Sequence, residues 1–64
     1  MINQQCVDMG FPWGYTVDGE LRATFMFFHG AVHYFETVYK QPGTVVKVID
    51  LRTGMSELTG FIPG

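Results

Sequence analysis

The stretch "FFHGAVHYFE", Phe27 to Glu36, decides the fold, because it can be built in two ways that lead to different chemistry. As one helix it sets His29, His33 and Glu36 on a common face, in the manner of a metal site. As a hairpin it places His29-Gly30 in the turn and leaves a sheet of aromatics. Glycine punctuation on either side favours the hairpin. Asp18-Gly19, His29-Gly30, Pro42-Gly43 and Thr53-Gly54 recur at near-regular intervals. Asp-Gly suits a type I′ turn and Pro-Gly a type II turn, since each needs a positive φ that glycine adopts without a steric penalty. The segments between them, "ELRATFMFF", "AVHYFETVY" and "TVVKVIDLR", are strand-sized and rich in Val, Thr, Phe and Tyr. "YTV" before the first turn and "MSEL" after the last extend the pattern.

This reading predicts an all-β or β-rich α+β fold: a small antiparallel meander of three to five strands, with residues 20–52 as a three-stranded sheet turning at His29-Gly30 and Pro42-Gly43. The alternative is one central helix at about 20–40 packed on a short hairpin. Leu21, Phe25, Phe28, Val32, Phe35 and Tyr39 recur at helical spacing, with Arg22, His29, His33, Glu36 and Lys40 on the opposite side. Against the helix stand Gly30 at mid-span, costing about 1 kcal/mol relative to Ala, and side chains that lose rotamer freedom in a helical turn.

The hairpin places Phe27, Val32, Phe25, Tyr34, Ala23, Leu21 and Val38 on one face, with Glu36 its only charge; this is the expected core face. Met26, Phe28, His33, Phe35 and Tyr39 fall on the other. The third strand repeats the division, with Val46 and Val48 on one side and Val45, Ile49 and Leu51 on the other. A sheet wet on one face alternates apolar and polar residues, and this one does not. Something must cover the second face: the segment around Phe11, Pro12 and Trp13, a second copy of the chain, or a different protein.

Composition leads the same way. The 64 residues form one small domain, 1–64, with 1–14 read as a loop or arm covering the sheet. A chain this short buries only about 60% of the surface its unfolded form exposes. Its single cysteine, Cys6, closes no internal disulfide, and no Cys/His set has zinc-finger spacing. Yet 47% of the residues are hydrophobic and 16% aromatic, more apolar surface than one small core takes up. A homodimer or a bound protein partner is the expected cover. The N-terminus has no basic region or apolar run suited to a signal peptide or membrane span, and the chain reads as a complete, cytoplasmic gene product without a membrane partner.

Four Lys and Arg against six Asp and Glu give a net charge of −2. Without a basic cluster to neutralise phosphates, duplex nucleic acid is disfavoured as a partner. Single-stranded nucleic acid stacking on the aromatics is an alternative, carried by a faint similarity of "RATFMFF" to the aromatic strand of sheet-based RNA-binding domains, but that segment lacks the glycine and the basic residues such strands use. Catalysis is not expected. "HGAVH" lacks the glutamate of the zinc-protease motif, Cys6 with His33 has no nucleophile signature, and "GMSELTG" has no phosphate-loop lysine. His29 and His33 read as turn and sheet residues, so no metal and no cofactor is expected.

What remains is a non-enzymatic protein that binds another protein, with Trp13, Tyr15, Met26, Phe28, His33, Phe35 and Tyr39 as the binding face. Phe, Tyr, Trp and Met are the residue types enriched where partners meet. The loops around Trp13 and Arg52 are the second place to look. A third reading is a structural homo-oligomeric subunit. By size and composition the chain is similar to the small proteins with which phages and mobile elements block host proteins, an analogy that rests on no motif.

Overall fold

The structure, a computed structural model, describes residues 8–64. It is a β-rich α+β fold: β1 (Trp13–Val17), β2 (Glu20–Phe25), α1 (Phe28–Thr37), β3 (Val45–Asp50) and β4 (Met55–Phe61). The four strands form one sheet in the order β2-β1-β3-β4, and every neighbouring pair is antiparallel.

The first hairpin follows directly from its turn residues. Asp18 and Gly19 both take positive φ, 51° and 84°, as a type I′ turn requires. Asp18 also ties this turn to β3: its N–H donates to the Val45 carbonyl at 2.8 Å, and its Oδ1 accepts from the Val45 N–H at 2.9 Å. The "YTV" and "MSEL" segments are strands, within β1 and β4.

The central stretch is a helix, which corrects the hairpin. Gly30 is not among the positive-φ residues, and "AVHYFETVY" lies in α1 and the start of the following loop instead of forming a strand. The expected three-stranded sheet over 20–52 is therefore replaced by one in which β1 separates β2 from β3. The helix is also shorter than the alternative at about 20–40, because 20–25 is strand.

Propensity and caps do not explain α1. Phe27 at its N-cap offers no side-chain hydrogen bond, the first turn has no acid and the last no base. Packing explains it. Phe28, Ala31, Tyr34, Phe35 and Val38 recur at helical spacing toward the sheet, and Ala31 is completely buried. A ten-residue helix would not persist alone in water, so the sheet beneath holds it in place. Tyr15 receives Tyr34 edge-on at 5.0 Å between ring centroids and Phe35 at 6.4 Å; Phe25 receives Tyr34 at 5.2 Å.

The covered face carries Tyr15, Val17, Ala23, Phe25, Val46, Val48 and Leu58. Val46 and Val48 do share a face, and Val45 and Ile49 oppose them, as the alternation suggests. The cover is the chain's own helix, where the sequence left it to the segment around Phe11, a second copy or another protein. Gly60 makes the close approach of α1 possible, since a Cβ there would lie 3.2 Å from the Phe35 ring. Of the expected arm over 1–14, residues 1–7 lie outside the described part and Trp13 and Gly14 belong to β1. Among the described residues no helix is long and apolar enough to cross a membrane.

Candidate protein-binding surface

One end of the covered sheet face is built from a single row of paired residues. Trp13 of β1 sits opposite Phe25 of β2 and Asp50 of β3, and Asp50 sits opposite Met55 of β4. From Phe25 the chain rises to α1 in two residues, Met26 and Phe27. That connection is too short to fold back over the row, so its side chains stay outside. Met26 is 52% exposed, Phe27 60%, Phe28 39% and Met55 64%.

The two phenylalanines among them are ordered by ring contacts. Phe28 packs on Trp13 with centroids 4.8 Å apart and planes tilted by 55°, and Phe27 stacks on the His29 ring at 5.6 Å and 8°. The Arg52 guanidinium lies 5.3 Å from the Trp13 ring, where the π face attracts it. It is held there by a two-pronged pair with Asp50: Nε donates to Oδ1 at 2.9 Å and an Nη donates to Oδ2 at 3.1 Å. The Arg52 backbone N–H donates to Oδ1 as well, at 2.9 Å. These bonds from Arg52, the side-chain ones foremost, hold the Asp50 carboxyl below its ordinary range despite its partial burial, and they raise the Arg52 guanidinium in turn.

The result is an exposed aromatic and methionine patch beside an immobilised arginine. Side chains with fixed rotamers lose little entropy on docking, and Trp, Phe, Met and Arg are the types that concentrate in interface cores. Four consecutive large apolar residues, Phe25 to Phe28, of which only Phe25 is committed to the core cluster, are a defect in a fold unless the exposed ones have work to do.

Of the seven residues expected to form the binding face, the structure packs Phe28 on Trp13 and leaves Met26 exposed in the short connection that leads to Phe28. The others separate, because that face was drawn for a hairpin. Tyr15 is only 3% exposed and central to the core, and Phe35 packs against it. His33 is exposed on the outer side of α1. Tyr39 is 81% exposed, beyond the opposite end of the helix. Phe27, expected in the core, is on the surface patch instead, and Met55 was not anticipated. His29, His33 and Glu36 are all exposed on the outside of α1, and among the described residues no three His, Cys, Asp or Glu side chains form a group that could hold a metal ion.

No protein-family model matches the chain, and neither a curated protein nor a solved structure is found to be similar to it.

Proposed function

We propose that this is a small, non-enzymatic protein-binding protein that modulates a larger protein in the cytoplasm, docking through the end of the fold where Phe28 packs on Trp13 and Met26 and Phe27 stand exposed beside it. The observation that carries the reading is the contiguous exposure of Met26, Phe27 and Phe28 on a ring platform flanked by a clamped arginine. A solvated loop would not need them, and a core does not use them. The net charge of −2 leaves the recognition to apolar and aromatic contact, with Arg52 as the polar anchor at its edge.

A homodimer through the same patch is the competing reading, since a small domain commonly covers an apolar surface with its own copy. A photo-crosslinking residue at position 27 separates the two. Cross-linking in the native cell extract to one other protein, abolished by Trp13→Ser, supports the proposal. Cross-linking of the purified chain to itself, with sedimentation at micromolar concentration showing a dimer, favours the homodimer. A protein captured equally well with Trp13→Ser overturns the assignment of the patch.

A further inference from the structure

The opposite end of the same sheet face holds a cavity of about 380 Å³ between β1, β2, the end of α1 and the loop that leads to β3. All three tyrosines of the chain line it, Tyr15 from the floor and Tyr34 and Tyr39 from the helix side, together with two of the four cationic residues, Arg22 and Lys40. Val17 and Val46 form apolar wall. None of the described Asp or Glu residues lines it.

The floor contains a polar group without a partner among the described residues. Tyr15 is 3% exposed, and its hydroxyl makes no hydrogen bond among the described residues. No fully enclosed side-chain oxygen in the described structure lacks a partner, so this hydroxyl keeps a little surface, on a residue that lines the cavity. Burial and the neighbouring Tyr34 push its ionisation upward, and it remains a neutral donor and acceptor.

The cations keep donors in reserve. Arg22 pairs with Glu20 through one Nη at 2.9 Å, and a guanidinium has four further N–H groups. Lys40 gives one N–H to the Val38 carbonyl at 3.2 Å, where it also answers the negative end of α1, and an ammonium has two more. Three aromatic rings alone would suit a quaternary ammonium, but Lys40, which has no acidic partner among the described residues, and the donors that Arg22 keeps beyond its bond to Glu20 disfavour one. They attract an anion, and the rings suit a flat one.

We propose that this cavity binds a single-ring aromatic carboxylate carrying a polar substituent on the far side of the ring, the carboxylate at Arg22 and Lys40, the ring between Tyr39 and the packed Tyr15–Tyr34 pair, and the substituent on the Tyr15 hydroxyl. A cavity of this size is at the lower end of those that enclose small ligands. It lies away from the Trp13 patch, so it adds a small-molecule ligand to a protein whose docking surface is elsewhere.

The probe is 4-hydroxybenzoate, titrated into the full chain by amide NMR, with benzoate, p-cresol and choline as comparisons. Saturable shifts at Val17, Val46 and the 39–44 loop are expected at millimolar concentration or below, with 4-hydroxybenzoate the tightest. Because the Tyr15 hydroxyl has no hydrogen-bond partner among the described residues, Tyr15→Phe should fold as before; it should weaken 4-hydroxybenzoate roughly five-fold, the worth of one neutral hydrogen bond, and leave benzoate unchanged. Lys40→Gln should weaken both acids and leave p-cresol unchanged. Shifts that are absent or map elsewhere, p-cresol or choline binding as tightly as the acid, or indifference of 4-hydroxybenzoate to Tyr15→Phe would each overturn the proposal.

Discussion

The two ends of the covered sheet face are both rich in aromatic residues, and they present them in opposite ways. At the Trp13 end the rings of Phe27 and Phe28 face solvent; at the Tyr15 end Tyr15 and Tyr34 line a cavity with the exposed Tyr39. The difference lies in the length of the connections. Two residues join β2 to α1, while the seven from Val38 to Thr44 join α1 to β3. A two-residue crossover lifts the chain from sheet to helix with nothing to spare, and whatever side chains it carries are stranded on the surface. A seven-residue connection can swing wide of the sheet, and it is held out by its own bonds: the Thr44 hydroxyl donates to the Gln41 carbonyl at 2.6 Å and the Gly43 N–H to the Ile62 carbonyl at 2.7 Å. Surface patch and cavity thus follow from one helix laid across one sheet with unequal connections.

That comparison stands or falls with the placement of α1, and Ala31 tests it most severely. Ala31 is completely buried between the two ends, against the cluster of Tyr15, Val46 and Val48. Ala31→Asp would bury a carboxylate without a partner, and a loss of about 4 kcal/mol or more is expected, enough to unfold a small domain. In a hairpin with Gly30 in its turn, position 31 would sit at the rim and tolerate the change. A urea melt of Ala31→Asp indistinguishable from that of the parent would break the comparison at its root.

A smaller effect separates the ends from each other. Phe27→Ser should leave the melting transition almost unchanged, because the ring is 60% exposed, yet cost about 2 kcal/mol or more of partner affinity if Phe27 is a central anchor. Tyr39→Ala, at the other end, should change neither. Equal losses of affinity from both variants would show that the docking surface is not confined to the Trp13 end.

Gly30→Ala probes the helix from the stabilising side. The glycine has no positive φ, and a Cβ there would meet the Phe25 ring at 3.9 Å, ordinary van der Waals contact. Its presence in a helix costs about 1 kcal/mol relative to alanine, and the variant should gain most of that in a denaturant titration. A loss instead would mean that the residue needs a backbone only glycine adopts, as in the turn of a hairpin.

The same residues explain why some of the fold was readable in the sequence and some was not. The Asp18-Gly19 turn was legible because its chemistry is local: two residues, both able to take positive φ. The alternation of Val45 to Ile49 was legible because a strand's period of two does not depend on its partners. The helix was hidden because nothing local announces it. Phe27 is no N-cap, Gly30 and a crowd of aromatic and β-branched residues weaken it, and its innermost residue, Ala31, is too small to mark an apolar stripe. The stripe drawn through Val32 and Tyr39 ran beside the true one through Ala31 and Val38. His29, His33 and Glu36 were correctly set on its polar side in the helical reading.

For the candidate site, the excess of large apolar residues around Trp13, Met26 and Phe28 showed through either fold. Phe27 was misplaced because a strand sends neighbouring side chains to opposite faces, while a two-residue crossover leaves Met26 and Phe27 outside together. The gathering of three tyrosines from β1, α1 and the following loop is a property of the tertiary fold and has no signature in spacing.

The smallest expected effect is confined to the Trp13 end and concerns how firmly Arg52 is held there. The hydrogen bonds from the Arg52 side chain depress the Asp50 carboxyl below the ordinary aspartate value of about 3.9. A depressed carboxyl contributes stability that is present above its unfolded value and lost as the pH falls through its folded one. Between neutrality and about pH 4 the clamp should therefore be intact, and at lower pH protonation of Asp50 should free the guanidinium from the Trp13 ring. Trp13 is the only tryptophan in the chain, so its fluorescence reports this step directly. A change in emission is expected in the acid range while far-ultraviolet circular dichroism still shows the folded sheet. Asp50→Asn, which cannot titrate and is neutral like the protonated carboxyl, should abolish the step and show already at neutral pH the emission that the parent reaches in acid. An acid step that persists in Asp50→Asn would mean that the ring senses some other carboxylate, and that Arg52 is not fixed over Trp13 by this pair; the polar anchor would then have to be removed from the docking surface, leaving its aromatic part to stand alone.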